Sequence, residues 1–160
     1  METFAHEASF SRLISNLPNA NRSHMVSFDV ENLFTNVPVH ETIEIILDKF
    51  FSDSTSFMSM TRPIFKEFLR LAVQSSFFLF NGRLYKQIEG LGMGLPLGPT
   101  FANIFMCAKE ELWLDDCPMS FKPALYKRYI DDFFLIFRSR SDSEKFYKYL
   151  NLKHPNMNFT

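Results

Sequence analysis

The feature that most constrains this fold is a pair of adjacent carboxylates, Asp131 and Asp132, placed between two apolar runs. Residues 126–130 precede the pair and residues 133–137 follow it, and both runs are typical of β-strands. Because charges are costly to bury, an acidic pair at the centre of such a stretch needs either water or a counter-charge. Two interpretations therefore stand: a tight turn that exposes both groups, or a site for a hard divalent cation such as Mg²⁺.

A third carboxylate, Asp29, also lies near the end of an apolar segment, and a strand is predicted over residues 25–30. In an antiparallel sheet, this strand can lie beside a hairpin that carries Asp131 and Asp132. Carboxylates from two elements would then surround one cavity, which could hold two Mg²⁺ ions roughly 4 Å apart for in-line phosphoryl transfer. The alternative for Asp29 alone is a structural aspartate at a strand end or helix cap.

The rest of the chain predicts an α+β domain, with a small antiparallel sheet covered by helices on one face. Asn81-Gly82 stands between two β-prone runs, which predicts a hairpin with a two-residue turn. A glycine-rich loop follows at residues 89–99. Apolar spacing and helix-start residues predict helices near residues 10–17, 39–51, 63–74, 100–114 and 143–150.

Composition narrows the class of protein. Apolar residues make up 46% of the chain, which is enough for a packed core, and the net charge of −1 provides no overall basic field for nucleic acid. Cys107 and Cys117 have no CxxC spacing, which indicates reduced thiols. No apolar run is long enough to cross a membrane, and no signal-peptide core precedes the domain. We therefore expect an intracellular protein, nuclear or cytoplasmic, that is neither secreted nor bound to a membrane.

Three segments, in the same order along the chain, resemble the catalytic motifs of reverse transcriptases. Residues 27–38, Ser-Phe-Asp-Val-Glu-Asn-Leu-Phe-Thr-Asn-Val-Pro, resemble the first catalytic motif, and residues 90–106 resemble the nucleotide- and template-positioning motif. Residues 129–132 resemble the Tyr-x-Asp-Asp box. The first segment and the C-terminal residues 154–160 most resemble Penelope-like retroelements. The resemblance covers roughly residues 8–160.

This resemblance implies an RNA-directed DNA polymerase with a palm-like fold, in which a lead-in segment at residues 1–24 precedes a palm domain at residues 25–160. It implies two Mg²⁺ ions, which Mn²⁺ could replace, and transfer of a nucleotide to a primer 3′-OH. The implied partners are an RNA template, a DNA primer and deoxynucleoside triphosphates, and no membrane. Asp29 and Asp131 would be the principal catalytic metal ligands, Asp132 would support them, and the backbone carbonyl of Val30 would complete the metal shell.

The resemblance also implies nucleotide-binding residues. Phe34 lies where the family has an aromatic gate that crowds a ribose 2′-OH, although Phe34 could instead be a core residue. Met93 and Gly94 match positions that line the incoming nucleotide. The chain departs from the usual family pattern at Leu95 and Gly98, which stand where the family usually has serines. Those changes remove two hydroxyl groups that could donate hydrogen bonds.

The resemblance further leads us to expect a fragment of a longer polyprotein, with its fingers, its thumb and any endonuclease domain missing. Such a fragment would keep the metal-binding geometry but would have little or no polymerase activity, because orientation supplies much of this catalysis. A non-catalytic retroelement remnant that acts as a binding or interaction module remains an alternative. Another two-metal phosphoryl-transfer enzyme, such as a nucleotide cyclase, is a further alternative. The acidic pair at residues 115–116 lacks a strand context and is predicted to lie in a solvated loop.

Overall fold

The computed structural model describes residues 23–74 and 76–160 and forms two compact units. One unit contains the segment that ends at Glu31 together with Glu110–Thr160, and the other contains Asn32–Lys109. The helix predicted near residues 10–17 lies outside the described residues, and the expected division at residue 24 stays a prediction. In chain order the elements are β1 (His24–Asp29), α1 (Leu33–Asn36), α2 (Val39–Phe50), β2 (Ser56–Phe57), β3 (Met60–Thr61), α3 (Arg62–Gln74), β4 (Phe77–Phe80), β5 (Arg83–Lys86), α4 (Gly98–Asp115), β6 (Leu125–Tyr129), β7 (Asp132–Phe137) and α5 (Arg140–Leu150).

The first unit is built on an antiparallel sheet with the strand order β1-β7-β6. Since side chains alternate between the two faces of a strand, Phe133, Leu135 and Phe137 share one face of β7, and all three are buried. Helix α5 covers that face, where the rings of Phe146 and Phe137 have centroids 5.4 Å apart. The prediction of an α+β, palm-like fold, with helices on one face of a small antiparallel sheet, is confirmed.

The second unit contains two small hairpins and the helices α2 and α3. Aromatic rings link these elements, with Phe57 contacting both Phe50 of α2 and Phe65 of α3. Strands β4 and β5 form the predicted hairpin, and its turn residues Asn81 and Gly82 both have positive φ, at 48° and 70°. Positive φ at both central residues is the type I′ pattern that the Asn-Gly sequence favours.

Most predicted boundaries agree with the structure to within two or three residues. Helix α5 begins at Arg140 rather than Ser143 because Ser139 caps it: the Ser139 hydroxyl accepts a hydrogen bond from the Asp142 N–H at 3.2 Å. Helix α1 and the β2–β3 hairpin are additional elements, too short to produce a periodic signal. Within the described residues, no helix is both long and apolar enough to cross a membrane.

Candidate active site

The turn between β6 and β7 consists of Ile130 and Asp131 and is strained. Ile130 has a φ of +57°, while Asp131 is not among the residues with positive φ, which matches a type II′ turn. Glycine is the usual residue at that first position, and positive φ is unfavourable for a β-branched side chain. Such a conformation persists only when surrounding contacts hold it, and it is common at functional sites.

The sheet places Asp29 of β1 directly opposite Asp132 of β7. The backbone N–H and C=O of Asp29 both bond to Thr160, each at 2.9 Å, and therefore point away from β7. Asp29 and Asp132 thus form a non-hydrogen-bonded antiparallel pair, in which Cα atoms lie about 4.5 Å apart and side chains are closest. Like charges directly opposite one another destabilise a sheet unless a counter-charge neutralises them.

The third carboxylate belongs to Asp131, and a backbone hydrogen bond holds this residue beside β1. The Val30 N–H donates to the Asp131 carbonyl at 3.1 Å. Burial, followed by the charges of Asp131 and Asp132, raises the pKa of Asp29, even though much of its side chain is exposed. The structure therefore brings together the three carboxylates that the sequence singled out. Val30 itself has a side chain that is buried and a backbone that lies against the Asp131 turn.

The donor set fits a hard divalent cation, because carboxylate and backbone oxygens are the ligands that Mg²⁺ prefers. Two directly opposed carboxylates with a third beside them also concentrate negative charge that such a cation would neutralise. Among residues 23–74 and 76–160, however, no group of three or more His, Cys, Asp or Glu side chains has the geometry to hold a metal ion. The carboxylates are thus neighbours, and the roles of Asp29, Val30, Asp131 and Asp132 as ligands stay predictions.

A buried ion pair lies beneath this turn, and the sequence analysis did not identify it. Arg128 of β6 donates from Nε to Glu110 Oε1 of α4 at 2.6 Å and from Nη1 to the Ile130 carbonyl at 2.9 Å. The Tyr126 hydroxyl also donates to Glu110 Oε1, at 2.8 Å. Only 3% of the Arg128 side chain and 0% of the Glu110 side chain are exposed. The sequence pattern that could have revealed this pair is the alternation of side chains along a strand. Residues two positions apart lie on the same face, so Arg128 shares the covered face of β6 with Tyr126.

Burial raises the pKa of Glu110, and the charge and hydrogen bond of Arg128 only partly oppose this effect. The second carboxylate oxygen, Oε2, is buried and has no hydrogen-bond partner in the described part of the chain. The acidic pair at residues 115–116 is different, because both side chains are exposed, as predicted, although Asp115 is the last residue of α4 rather than part of a loop. Asp116 forms an ion pair with Lys153 at 3.4 Å.

The glycine-rich loop and Phe34 belong to the second unit, where they are in backbone contact. The Phe34 carbonyl accepts a hydrogen bond from the Leu91 N–H at 2.7 Å, and the Phe34 side chain is half-buried in α1. Gly90 has a φ of +68°, and a Cβ at this position would lie 2.2 Å from the Thr35 carbonyl oxygen. The start of the loop therefore requires glycine both for its conformation and for its approach to α1.

Met93 and Gly94 lie at the exposed tip of this loop. The Leu95 N–H donates to the Gly92 carbonyl at 3.2 Å, and Gly94 has a φ of +88°, so these residues form a turn of the type II pattern. The Met93 side chain is 86% exposed, which leaves it accessible to a ligand. The nucleotide-binding roles of Phe34, Met93 and Gly94 stay predictions.

The antiparallel sheet of the first unit carries acidic residues at adjoining ends of two neighbouring strands, β1 and β7. Residues 3–158 match the family described as reverse transcriptase (RNA-dependent DNA polymerase), and the chain belongs to that family. The resemblance of its three motifs to reverse transcriptases is thereby confirmed. No curated protein sequence matches the chain.

Solved telomerase structures share this fold. The chain is similar to apo telomerase from Candida tropicalis truncated from its C-terminal domain, with a TM-score of 0.67 and 17% identity over 96% of this chain and 33% of that one. It is also similar to Candida albicans telomerase in complex with a fragment of telomeric RNA, with a TM-score of 0.63 and 12% identity over 96% of this chain and 28% of that one. The chain thus spans about a third or less of these proteins, and identities this low show the fold alone.

Proposed function

We propose that the chain carries the nucleotidyl-transfer centre of a retroelement reverse transcriptase, which adds deoxynucleotides to a primer 3′-OH on an RNA template. The observation that carries this proposal is the juxtaposition of Asp29, Asp131 and Asp132. The β1–β7 register sets Asp29 opposite Asp132, and the Val30 N–H bonds to the Asp131 carbonyl. Family membership supplies the reaction class.

In this proposal Asp29 and Asp131 bind the catalytic metal ions, with Asp132 and the carbonyl of Val30 beside them. Two Mg²⁺ ions would, when bound, activate the attacking hydroxyl and stabilise the leaving pyrophosphate. The chain's own contribution is positional, because β1 and the β6–β7 turn hold carboxylates from distant parts of the sequence at a fixed spacing. Orientation of this kind accounts for much of the rate of phosphoryl transfer.

The proposed partners are an RNA template, a DNA primer and deoxynucleoside triphosphates. Met93 and Gly94 are accessible at the loop tip and would contact the incoming nucleotide, while Phe34 would crowd a ribose 2′-OH. The Candida albicans telomerase, which has the same fold, was solved with RNA, and this supports an RNA template by analogy. A non-catalytic retroelement remnant that acts as a binding or interaction module is the second candidate. It is favoured by the lack of a three-ligand metal group among the described residues.

Mn²⁺ binding, followed by electron paramagnetic resonance, tests the metal site directly. We expect the wild-type chain to bind Mn²⁺ in competition with Mg²⁺. Asp29→Asn and Asp131→Asn should each weaken Mn²⁺ binding by more than about tenfold. Loss of a residue that only hydrogen-bonds to a metal ligand already weakens metal binding by about 10–100-fold, and loss of the ligand itself should have at least that effect. Asp115→Asn is the matched control and should bind normally, since Asp115 is an exposed carboxylate at the end of α4. Wild-type affinity in Asp131→Asn would refute the proposed site.

Primer extension in the same buffer separates the two candidates. Mg²⁺-dependent incorporation on an RNA template, lost in Asp131→Asn and retained in Asp115→Asn, identifies a polymerase. Because a polymerase fragment is itself expected to incorporate little, the binding module is identified by primer–template binding that neither Mg²⁺ nor Asp131→Asn alters, together with a wild-type chain that binds no Mn²⁺. A ribonucleotide incorporated as readily as a deoxynucleotide would contradict the gating role of Phe34.

A further inference from the structure

We propose that Glu110 and Arg128 are positioning residues that fix the Ile130–Asp131 turn and thereby direct the Asp131 carboxylate. This inference rests on the proposed function, because it assigns the pair a role in the same metal site. Neither residue belongs to the three motifs that resemble reverse transcriptases, since Glu110 follows residues 90–106 and Arg128 precedes residues 129–132. Their importance comes from contacts that only the folded chain reveals.

The first argument is geometric. The guanidinium of Arg128 is a rigid plane, and it uses Nε for Glu110 Oε1 and Nη1 for the Ile130 carbonyl. That carbonyl oxygen lies in the plane of the peptide bond that joins Ile130 to Asp131. Holding the oxygen therefore fixes the direction in which the chain enters Asp131. Glu110 therefore becomes the point from which Arg128 orients the turn.

The second argument is the strain in the turn. Ile130 has positive φ, which is unfavourable for a β-branched residue, so the turn needs restraint from outside its own two residues. Two such restraints are present in the described part of the chain: the Val30 N–H bonds to the Asp131 carbonyl, and Arg128 bonds to the Ile130 carbonyl from beneath. One restraint acts on each carbonyl of the turn.

The third argument is that packing alone does not call for a charged pair at this position. Replacing a buried ion pair by apolar side chains of similar volume often leaves stability unchanged or increases it. In this pair, moreover, Glu110 Oε2 has no hydrogen-bond partner among residues 23–74 and 76–160. What an apolar replacement could not supply is the Nη1 hydrogen bond to the Ile130 carbonyl. That bond is what the positioning role requires.

The test uses the 160-residue chain and a double variant, Glu110→Met with Arg128→Met, in which both charges are removed together. Hydrogen exchange of the Val30 amide reports whether Asp131 stays in place, because this amide donates to the Asp131 carbonyl. We expect the Val30 amide to exchange about tenfold faster or more in the double variant. This factor corresponds to the free energy of one charge-assisted hydrogen bond. Amides of α5 should exchange as in the wild type, which separates a local effect from general destabilisation.

Two further variants keep the proposal testable if the double variant does not fold. Arg128→Lys retains the charge opposite Glu110, but an ammonium cannot present two donors in a fixed plane, so the Val30 amide should again lose protection. Glu111→Gln makes a similar change at the neighbouring, exposed position of α4 and should have no effect. Wild-type exchange of Val30 in folded Arg128→Lys, or in the folded double variant, would overturn the proposal.

Mn²⁺ affinity measured on the same samples distinguishes this inference from the proposed function. If the wild-type chain binds Mn²⁺, the double variant should bind it about tenfold more weakly while Glu111→Gln binds it normally. If the wild-type chain binds no Mn²⁺, the proposed function fails, whereas the exchange of the Val30 amide still decides whether Arg128 holds the turn.

Discussion

Removing Arg128 alone should destabilise the fold strongly, because it leaves a carboxylate buried without its counter-charge. In Arg128→Met the Glu110 side chain remains at 0% exposure and loses the 2.6 Å bond to its only cationic partner among the described residues. Breaking a buried pair in this way costs about 3–5 kcal/mol. Since a domain has a total stability of roughly 5–15 kcal/mol, the variant should unfold at a much lower urea concentration than the wild type.

The pH dependence of this loss identifies its cause. Burial raises the pKa of Glu110 above its ordinary value of 4.5, and loss of Arg128 removes the main influence that lowers it. The folded variant then retains a proton that the unfolded chain releases. Acidification from pH 8 toward pH 5 therefore stabilises the folded variant, by at most about 1.4 kcal/mol per pH unit below the raised pKa.

Urea unfolding followed by circular dichroism at pH 5, 6, 7 and 8 measures both effects. The double variant Glu110→Met/Arg128→Met is the matched control, because it has no titrating group at this position and should lack the extra pH slope. Two results would refute the reasoning. One is a cost below about 1 kcal/mol for Arg128→Met at pH 8, and the other is a pH slope equal to that of the double variant.

Two further predictions concern the second unit. Gly90→Ala should lower the free energy of unfolding, measured in urea, by about 1–2 kcal/mol because of its positive φ and by a further 1–3 kcal/mol because the new Cβ overlaps the Thr35 carbonyl. Gly94 also has positive φ, but a Cβ there meets open space, so Gly94→Ala should cost only the first amount. Glu44, whose pKa is lowered chiefly by a hydrogen bond from Lys66, should contribute stability above pH 4.5 that is lost as pH falls through the lowered pKa. Because the pair is more than one-third exposed, Glu44→Gln should remove less than about 1 kcal/mol, and high salt should abolish the difference.

Local sequence signals predicted the strands and turns that carry the candidate site. The apolar runs before Asp29 and on both sides of the Asp131-Asp132 pair indicated strands, and the Asn81-Gly82 pair specified its hairpin, because both signals depend on only a few neighbouring residues. The acidic pair allowed either a turn or a metal site. The structure shows the turn and sets both carboxylates beside Asp29.

What the sequence could not predict depends on contacts between distant residues. Glu110 and Arg128 are 18 positions apart on a helix and a strand, and neither belongs to a recognisable local pattern. The β1–β7 register makes Asp29 and Asp132 a non-hydrogen-bonded pair, and the backbone of Asp29 bonds instead to Thr160 at the outer edge of β1. Periodicity contains no information on such pairing between distant segments.

Hydroxyl-radical cleavage by bound Fe²⁺ tests the central claim most directly, namely that β1 and the β6–β7 turn hold one divalent-metal site. Fe²⁺ takes oxygen ligands, and with ascorbate and peroxide it cuts the backbone close to where it is bound. The account predicts cuts near both Asp29 and Asp131, suppressed by excess Mg²⁺, absent in Asp131→Asn and unchanged in Asp115→Asn. Cuts near only one of these two segments, or a pattern that neither Mg²⁺ nor Asp131→Asn alters, would contradict it.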